Sequence, residues 1–402
     1  MKKQSKLTKI ILYVLLFAGS ALFMLPLIWM LATSLKPLDQ AMTTPPSFVP
    51  FRSYITENNK KIEVKEGIEI TAPSYLMTMK ESGKWMIAGV SDKLLKLDAD
   101  GQSGTYDGMP ITVTMQADAS AEAPSVLVNE VLPKVSENTG SGVSNVLKVG
   151  RRWIVPKSEI TEETSPRWEN YSDSILDMGK YESRSGKEKL YFTRYLWNTI
   201  TLCFLTVIGT VISCSLVAYG FSRINWRGRN TMFIVVLSTM MIPFPVVMVP
   251  LYSLFKELGW IGTLQPLWVP TFFAGAFNVF LLRQFFMAIP KDLSEAARID
   301  GCSEFRIYWQ IILPLAKPAL MVVGLFQFMA TWNDFLGPLL FLTDQMDFTL
   351  ALGLQFYQSK QGGTDWHFLM AASSMIVLPV IVLFFFTQKT FIEGISMSGL
   401  KG

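Results

Sequence analysis

The chain has 402 residues, of which 50% are hydrophobic and only 17% are charged, and its net charge is +4. A soluble globular protein carries about 25% charged residues, so this composition favours a membrane protein. The charges are concentrated in residues 36–194, which hold 20 of the 36 Lys and Arg and 22 of the 32 Asp and Glu. Because this polar segment is nearly neutral, nothing in the composition supports nucleic-acid binding.

Six segments are apolar and long enough to cross a bilayer, which takes about 20 residues in a helix. They are Ile10–Leu35, Leu196–Phe221, Met232–Phe255, Leu267–Ala288, Leu313–Leu340 and Phe368–Phe391. The first follows several lysines, as a signal peptide would, but its apolar run is too long and lacks a cleavage site, so we interpret it as a retained span. Prolines predict broken helices in the third span and at the entrance of the fourth, at positions 243, 245, 250, 266 and 270.

The positive charges of the short loops predict the orientation of these spans. With the N-terminus inside, 13 Lys and Arg fall on the cytoplasmic side, and only Lys256 and Lys360 lie in short external loops. Such an excess is typical of cytoplasmic loops. We therefore expect a multi-pass membrane protein with both termini cytoplasmic and residues 37–194 outside.

The polar segment 37–194 shows strand-like alternation in three stretches, "SYLMTMKESGKWMIAGVSDKLLKLDADG", "MPITVTMQ" and "VLKVGRRWIVPK". The stretches "ADASAEAPS" and "SENTGSG" have the composition of loops. The segment contains no cysteine, so it folds without disulfides. We predict a small β-rich domain, and the sequence leaves open whether it is a spacer or a docking surface.

The segment between the fourth and fifth spans predicts two short helices that meet at a glycine. Asp292 and Glu295 fit a capping box at the start of the first helix, and Gly301 fits its C-terminal end. Ser303 can cap the second helix, which Pro314 ends or bends. Two short helices at a glycine corner would form a compact protrusion.

Such a protrusion has the residues of a contact surface. Small side chains allow close approach and aromatic side chains are common in interface hot spots. The residues concerned are Ala296, Ala297, Phe305, Tyr308 and Trp309. From the residues alone, a solvated loop lying on the lipid headgroups is an equally good interpretation.

The same segment resembles a family signature. Glu295-Ala296-Ala297, then Gly301, then Ile311-x-Leu313-Pro314 have the identities and spacing of the EAA motif of binding-protein-dependent ABC importer permeases. Residues 196–402, and more loosely 10–40, also resemble the maltose-type sugar permeases, for example in "ATWNDFLGPLLFLTD" and "GISMSGLKG".

Together with the span pattern, this resemblance predicts the fold class. It implies an all-α polytopic membrane protein, with six transmembrane helices of the type I ABC importer permease fold and a β-rich extracytoplasmic insertion between helices 1 and 2. The expected domains are 1–36 (cytoplasmic N-terminus and first helix), 37–194 (insertion) and 195–402 (permease core, with a coupling loop at 290–314).

The resemblance also implies partners and roles. In that family the loop is a coupling helix seated in a cytoplasmic ATPase, and the matching residues here are Glu295, Ala296, Ala297, Asp300, Gly301, Phe305 and Tyr308. The chain has no G-x-x-x-x-G-K-[ST] phosphate loop, so we expect no enzyme activity and no bound cofactor, and the partner ATPase would use ATP and Mg. The implied assembly contains a second permease subunit, two ATPase subunits and an extracytoplasmic solute-binding protein, and it imports a sugar or oligosaccharide by alternating access.

Polar side chains inside spans are costly and often functional, which makes them candidates for the substrate path. They are Asn278, Gln327, Trp332, Asn333 and Asp334. A Trp beside an amide and a carboxylate suits sugar stacking and hydroxyl binding, although a structural or gating role fits as well. The resemblance places the principal sugar site mainly in the partner permease.

Other functions remain open from the sequence. One is an ABC importer permease for a non-sugar solute. Another is an ion-coupled secondary transporter, which would need buried carboxylates where this chain has essentially Asp334 alone. A third is a membrane-tethered enzyme, although residues 37–194 lack His and Cys and offer little beyond paired carboxylates such as Glu162-Glu163.

Overall fold

The computed structural model describes residues 6–41, 48–57, 59–80, 85–98, 100–117, 119–120, 123–131, 149–183, 186–358 and 364–399. The chain divides into two compact units, Met1–Asn170 and Tyr171–Gly402. The boundary predicted at 194/195 separates the external segment from the next membrane span, whereas the division at 170/171 separates groups of residues that pack together.

The first unit begins with a long apolar helix, α1 (Lys6–Ser34). The rest of the protein buries none of its most apolar stretch. The C-terminal end of α1 is tied to a distant part of the same unit. The Asn170 amide donates 2.8 Å hydrogen bonds to the backbone oxygens of Ser34 and Lys36. The first of these bonds satisfies a carbonyl that the end of α1 leaves without an intrahelical partner, and the second holds the chain two residues further on.

The rest of the first unit is built from antiparallel strands. They are β1 (Phe51–Glu57), β2 (Lys60–Ile70), β3 (Ser74–Met79), β4 (Trp85–Gly89), β5 (Leu95–Leu97), β6 (Ser103–Tyr106), β7 (Met109–Ala117), β8 (Ser125–Val131), β9 (Val149–Pro156) and β10 (Thr161–Thr164). One sheet has the order β10-β1-β2-β8-β9 and the other β4-β3-β7-β6-β5. A small apolar core lies on each, around Val64 and Val128 in the first and Met77 and Ile111 in the second.

The three stretches with strand-like alternation correspond to β3 to β5, β7 and β9, whereas the other strands lie outside them, namely β1, β2, β6, β8 and β10. The strand β2 shows why. A bulge between Glu66 and Glu69 shifts its register against β8, so the alternation of its side chains is interrupted. The predicted loop "SENTGSG" lies outside the described residues.

The second unit is mainly helical. Its helices are α2 (Glu169–Asp177, which starts at the end of the first unit), α3 (Tyr191–Ser222), α4 (Arg229–Thr239), α5 (Phe244–Glu257), α6 (Gln265–Trp268), α7 (Ala276–Ala288), α8 (Asp292–Ile299), α9 (Glu304–Ile307), α10 (Leu313–Leu315), α11 (Lys317–Trp332), α12 (Leu336–Phe341), α13 (Leu350–Gly353) and α14 (Trp366–Gly399). A short hairpin, β11 (Lys180–Glu182) and β12 (Glu188–Leu190), precedes α3. A π-helical turn covers Tyr308–Ile312, and 3-10 turns cover Val269–Phe273, Gln345–Asp347 and Leu354–Tyr357.

Several of these helices have the length and composition of membrane spans. Within the described residues four helical segments qualify, namely α1, α3, α14 and the run Gln265–Ala288 from α6 to α7, and up to six spans result if two bent pairs are counted. The first pair, α4 and α5, bends by 94° at the proline-containing break between Thr239 and Phe244. The prolines of the third span therefore break its helix, as predicted, because Pro lacks a backbone N–H and restricts the preceding residue.

The predicted fifth span, Leu313–Leu340, is wrong at its C-terminal end. The helix α11 stops at Trp332, and a separate helix, α12, begins at Leu336. Local side chains explain the break, because the Asn333 amide donates to the Met329 carbonyl (2.8 Å) and the Asp334 carboxylate accepts from the Gly337 N–H (3.0 Å). Asn and Asp offer the backbone such alternatives to a continuous helix.

Candidate functional site

The corner at Gly301 is a helix C-terminus of the Schellman type. Gly301 has a φ of +79°, its N–H donates to the Arg298 carbonyl (3.0 Å), and the Cys302 N–H donates to the Ala297 carbonyl (2.9 Å). This pair of bonds requires a left-handed residue, which glycine adopts without steric cost. The prediction that Gly301 ends the first helix is confirmed.

The predicted capping box at Asp292 and Glu295 is wrong. The N-cap is Lys291, whose carbonyl already accepts hydrogen bonds from the backbone of Ser294 (2.9 Å) and Glu295 (3.1 Å), and no side chain caps the helix. Both carboxylates therefore lie in the first turn, where the helix dipole favours negative charge. The second cap is confirmed, because the Ser303 hydroxyl accepts from the Arg306 N–H at 3.3 Å.

The predicted coupling residues separate into exposed and buried sets. Glu295, Ala296, Asp300, Gly301 and Phe305 are exposed. Ala297 (6% exposed) and Tyr308 (4% exposed) instead pack into the main core of the second unit. Those two residues hold the protrusion against the helices, and they are not available to a partner in this conformation.

The most exposed large apolar side chains of the protrusion are Ile299, Phe305 and Trp309, which we call the apolar knob. They are 87%, 68% and 62% exposed, and the rings of Phe305 and Trp309 stack with centroids 6.5 Å apart. Sequence reasoning missed Ile299. A bulky apolar residue just before a helix-ending glycine, in an otherwise polar stretch, was the signal available.

A series of hydrogen bonds joins this protrusion to α3. The Tyr219 hydroxyl donates to the Glu304 carboxylate (2.7 Å), which also accepts from the Arg298 guanidinium (2.6 Å). The hydroxyls of Ser215 and Tyr308 are hydrogen-bonded at 2.7 Å. The hydrogen bond with the Glu304 carboxylate raises the pKa of Arg298 across the glycine corner.

Two arginines join the ends of α3 and α7 reciprocally. Arg223, which ends α3 and is buried, donates to the backbone oxygens of Phe286 (2.5 Å) and Ile289 (2.6 Å). Arg283 of α7 donates to the Phe221 carbonyl of α3 at 3.1 Å. Each guanidinium satisfies carbonyls at the C-terminal end of the other helix, where a cation is favoured.

A cavity of about 320 Å³ lies between helices of the second unit. It is lined by Leu202, Leu267, Gln327, Ala330, Thr331, Asp334, Pro338 and Thr349. The Gln327 amide donates to the Thr331 hydroxyl (3.1 Å), and the Thr331 and Thr206 hydroxyls are bonded at 2.9 Å. The cavity therefore offers amide, hydroxyl and carboxylate groups on an otherwise apolar wall, a combination typical of small-molecule sites.

The structure brings together two of the five predicted substrate-path residues, Gln327 and Asp334, in this cavity. Trp332 is buried, and its indole N–H donates to the Ile376 carbonyl (3.1 Å), so its ring packs inside the protein. The Asn333 side chain closes the end of α11 instead of facing the cavity. Asn278 lies on α7 and does not line the cavity. Thr331 and Thr349 were missed, because a single threonine within an apolar helix, or at the N-cap of a short one, carries no distinctive pattern.

Apolar helices of membrane length, a protruding apolar surface and a polar cavity between helices are features of the membrane subunit of a transporter. Comparison with known proteins agrees. Residues 206–396 match the family model of the binding-protein-dependent transport system inner membrane component.

The chain is similar to curated proteins of this kind. It is 37% identical over 228 residues to the arabinooligosaccharides transport system permease protein AraQ of Bacillus subtilis. This match covers 57% of this chain and 80% of that protein. It is 36% identical to the trehalose/maltose transport system permease protein MalG of Thermococcus litoralis, over 53% of this chain and 77% of that protein. Among solved structures, it resembles a chain of a bacterial ABC transporter involved in the import of alginate. The identity is 23% and the TM-score 0.48, and the match covers 60% of this chain and 82% of that chain.

The chain belongs to the family of inner-membrane components of binding-protein-dependent transport systems, which are the permease subunits of ABC importers.

Proposed function

We propose that this chain is the permease subunit of an ATP-driven importer for a sugar or oligosaccharide. The names of its relatives, which refer to arabinooligosaccharides and to trehalose and maltose, support this substrate class. The assembly would contain a second permease subunit, two ATPase subunits that use ATP and Mg, and an extracytoplasmic solute-binding protein.

The observation that carries the proposal is the apolar knob, together with the glycine corner that presents it. Three large apolar side chains at a polar, exposed position are a docking surface for another protein, since aromatic anchors dominate interface energetics. We propose that the knob seats in the cytoplasmic ATPase, with Glu295, Ala296, Asp300 and Gly301 around it. Ala297 and Tyr308 would act from the inside, by holding the knob in place.

We propose that the polar cavity is part of the solute path. Its amide, hydroxyl and carboxylate groups can hydrogen-bond sugar hydroxyls, and its volume suits roughly one sugar ring at a time. Gln327 and Asp334 would contact the solute, whereas Trp332 and Asn333 support the wall from behind. For Asn278 we propose a structural role within α7.

Replacing Gln327 with Leu keeps the volume of the side chain and removes its amide. We expect the half-saturating concentration for oligosaccharide uptake to rise by about tenfold, as expected for one lost hydrogen bond in a largely desolvated site. The measurement is ATP-driven uptake of arabinose and maltose oligosaccharides by proteoliposomes that contain the complete importer.

The matched control is Gln358→Leu, at an exposed glutamine that does not line the cavity. An unaltered half-saturating concentration in Gln327→Leu would remove the cavity from the solute path. Absence of ATP-driven uptake of any oligosaccharide by the unmodified importer would contradict the proposed substrate class.

We also propose that both termini are cytoplasmic and that the β-rich segment lies outside, where a binding protein docks. The excess of Lys and Arg on one side of the predicted spans supports this orientation. Exposed positions on each side give a direct test, namely Lys96 on β5 and Arg227 between α3 and α4.

In a background without Cys203, Cys214 and Cys302, Lys96→Cys is expected to react with a membrane-impermeant maleimide in intact spheroplasts. Arg227→Cys is expected to react only after permeabilisation, because the reagent cannot cross the bilayer. Labelling is measured by mass shift on a gel. The reverse pattern would overturn the orientation, and with it the position proposed for the apolar knob.

A further inference from the structure

Three buried polar side chains lie along one face of α3 at its C-terminal end: Ser215, Tyr219 and Arg223, which we call the α3 polar ladder. Their spacing of four residues keeps them within a sector of about 80° over roughly 12 Å of helix. Ser215 and Tyr219 bond Tyr308 and Glu304. Arg223 bonds the end of α7, which leads into α8. The ladder therefore grips the protrusion from both of its ends.

On both sides of the protrusion, the backbone that joins it to the neighbouring long helix is interrupted. On one side the chain leaves α7 through an extended residue, Ile289, and Pro290. On the other side the helices before and after Ala316 are bent by 79°. A kink or an extended residue between helices is a place where backbone dihedrals can absorb a displacement.

The helix α3 also reaches the polar cavity. Leu202 lines the cavity, and Thr206 is hydrogen-bonded to Thr331 in its wall at 2.9 Å. From Leu202 to Arg223 the helix is continuous and contains no proline, over about 31 Å. One rigid element therefore has the protrusion at one end and the cavity at the other.

We infer that α3 is the element that transmits movement of the ATPase-docked protrusion to the solute cavity, and that the α3 polar ladder is the clamp that couples them. This inference rests on the proposed function. Tyr219, Ser215 and Arg223 are positioning residues, because they act through Glu304, Tyr308 and the end of α7. When the clamp is intact, the protrusion and α3 move as one body. When it is loosened, the hinges on either side take up the movement.

The test removes two hydroxyls and leaves the rings and packing in place. In the complete importer, Tyr219→Phe combined with Ser215→Ala is expected to lower the number of solute molecules transported per ATP hydrolysed by about tenfold, given the strength of a hydrogen bond to a charged group. ATPase co-purification and basal ATP hydrolysis are expected to stay at wild-type values, since the apolar knob is unchanged.

The matched control is Tyr357→Phe, which removes a buried tyrosine hydroxyl bonded to the Ser174 carbonyl (2.6 Å) elsewhere in the unit. It is expected to keep wild-type transport per ATP. In a background without native cysteines, Tyr219→Cys with Glu304→Cys provides a rescue arm. Joining the two thiols with a short bis-maleimide is expected to restore coupling that the unlinked variant lacks.

Wild-type transport per ATP in the double variant, or no recovery after cross-linking, would overturn the inference and leave the proposed function standing. An unmodified importer that hydrolyses ATP without importing any oligosaccharide would overturn both. The expected pattern is low coupling without the hydroxyls, recovery with the cross-link, and no effect in the control.

Discussion

Replacing Gly301 with proline is expected to abolish ATP-driven uptake while the chain still inserts into the membrane. Gly301 has a φ of +79°, and proline is restricted to about −65°. Proline also removes the N–H that donates to the Arg298 carbonyl. Both changes destroy the turn between α8 and α9, so the two short helices would no longer be held in this arrangement.

The neighbourhood of Gly301 allows a sharp control. A Cβ added there would have no atom within 4 Å, so the effect of substitution is conformational and not steric. Asn adopts the left-handed region more readily than other residues, so Gly301→Asn is expected to keep most transport. A β-branched residue costs about 1–2 kcal/mol in that conformation, so Gly301→Val is expected to lie between the two.

These three variants are compared by uptake, by co-purification of the ATPase and by yield of inserted protein. The order expected for uptake is Asn, then Val, then Pro. Equal uptake in all three variants would show that the glycine corner has no part in coupling. If only Gly301→Pro fails to insert, the comparison of uptake between Gly301→Asn and Gly301→Val decides the question.

Replacing Arg223 with alanine is expected to destabilise the complex by about 3–5 kcal/mol, which is the cost of leaving two buried carbonyls without a charged donor. The carbonyls are those of Phe286 and Ile289, and the Phe286 carbonyl keeps a weaker 3.3 Å hydrogen bond from the Ile289 N–H. The thermal unfolding midpoint of the detergent-solubilised complex is expected to fall by roughly 5 °C or more.

Arg227→Ala is the matched control, because Arg227 is exposed in the same connection between α3 and α4. Its midpoint is expected to stay within about 1 °C of wild type, as for most surface substitutions. Arg223→Lys keeps the charge but cannot donate in two directions at once with the same geometry, so it is expected to fall between them. A midpoint for Arg223→Ala equal to that of Arg227→Ala would contradict the bridging role of Arg223.

The structure changes which residues are suitable for probing the docking surface. From the sequence, Ala297 is part of a shallow surface, and a large residue there would obstruct a partner. In the structure Ala297 is buried, so Ala297→Trp would overpack the interior and disturb folding instead. Ile299, which the sequence reading did not select, is the better position at which to alter the surface of the knob.

The sequence by itself determined the features that depend on local chemistry: the apolar helices, the broken third span, the glycine corner with its Ser303 cap, and the family. Hydrophobic periodicity, prolines and a motif at fixed spacing indicate these features, because each depends on residues that are close together in the sequence.

The tertiary structure decided which side chains are buried. Tyr308 and Ala297 turn inward because α3 offers Ser215 and an apolar face to them, and Trp332 turns inward because the Ile376 carbonyl accepts its N–H. The α3 polar ladder and the polar cavity join residues about 60 to 150 positions apart, and a single sequence does not state such pairings.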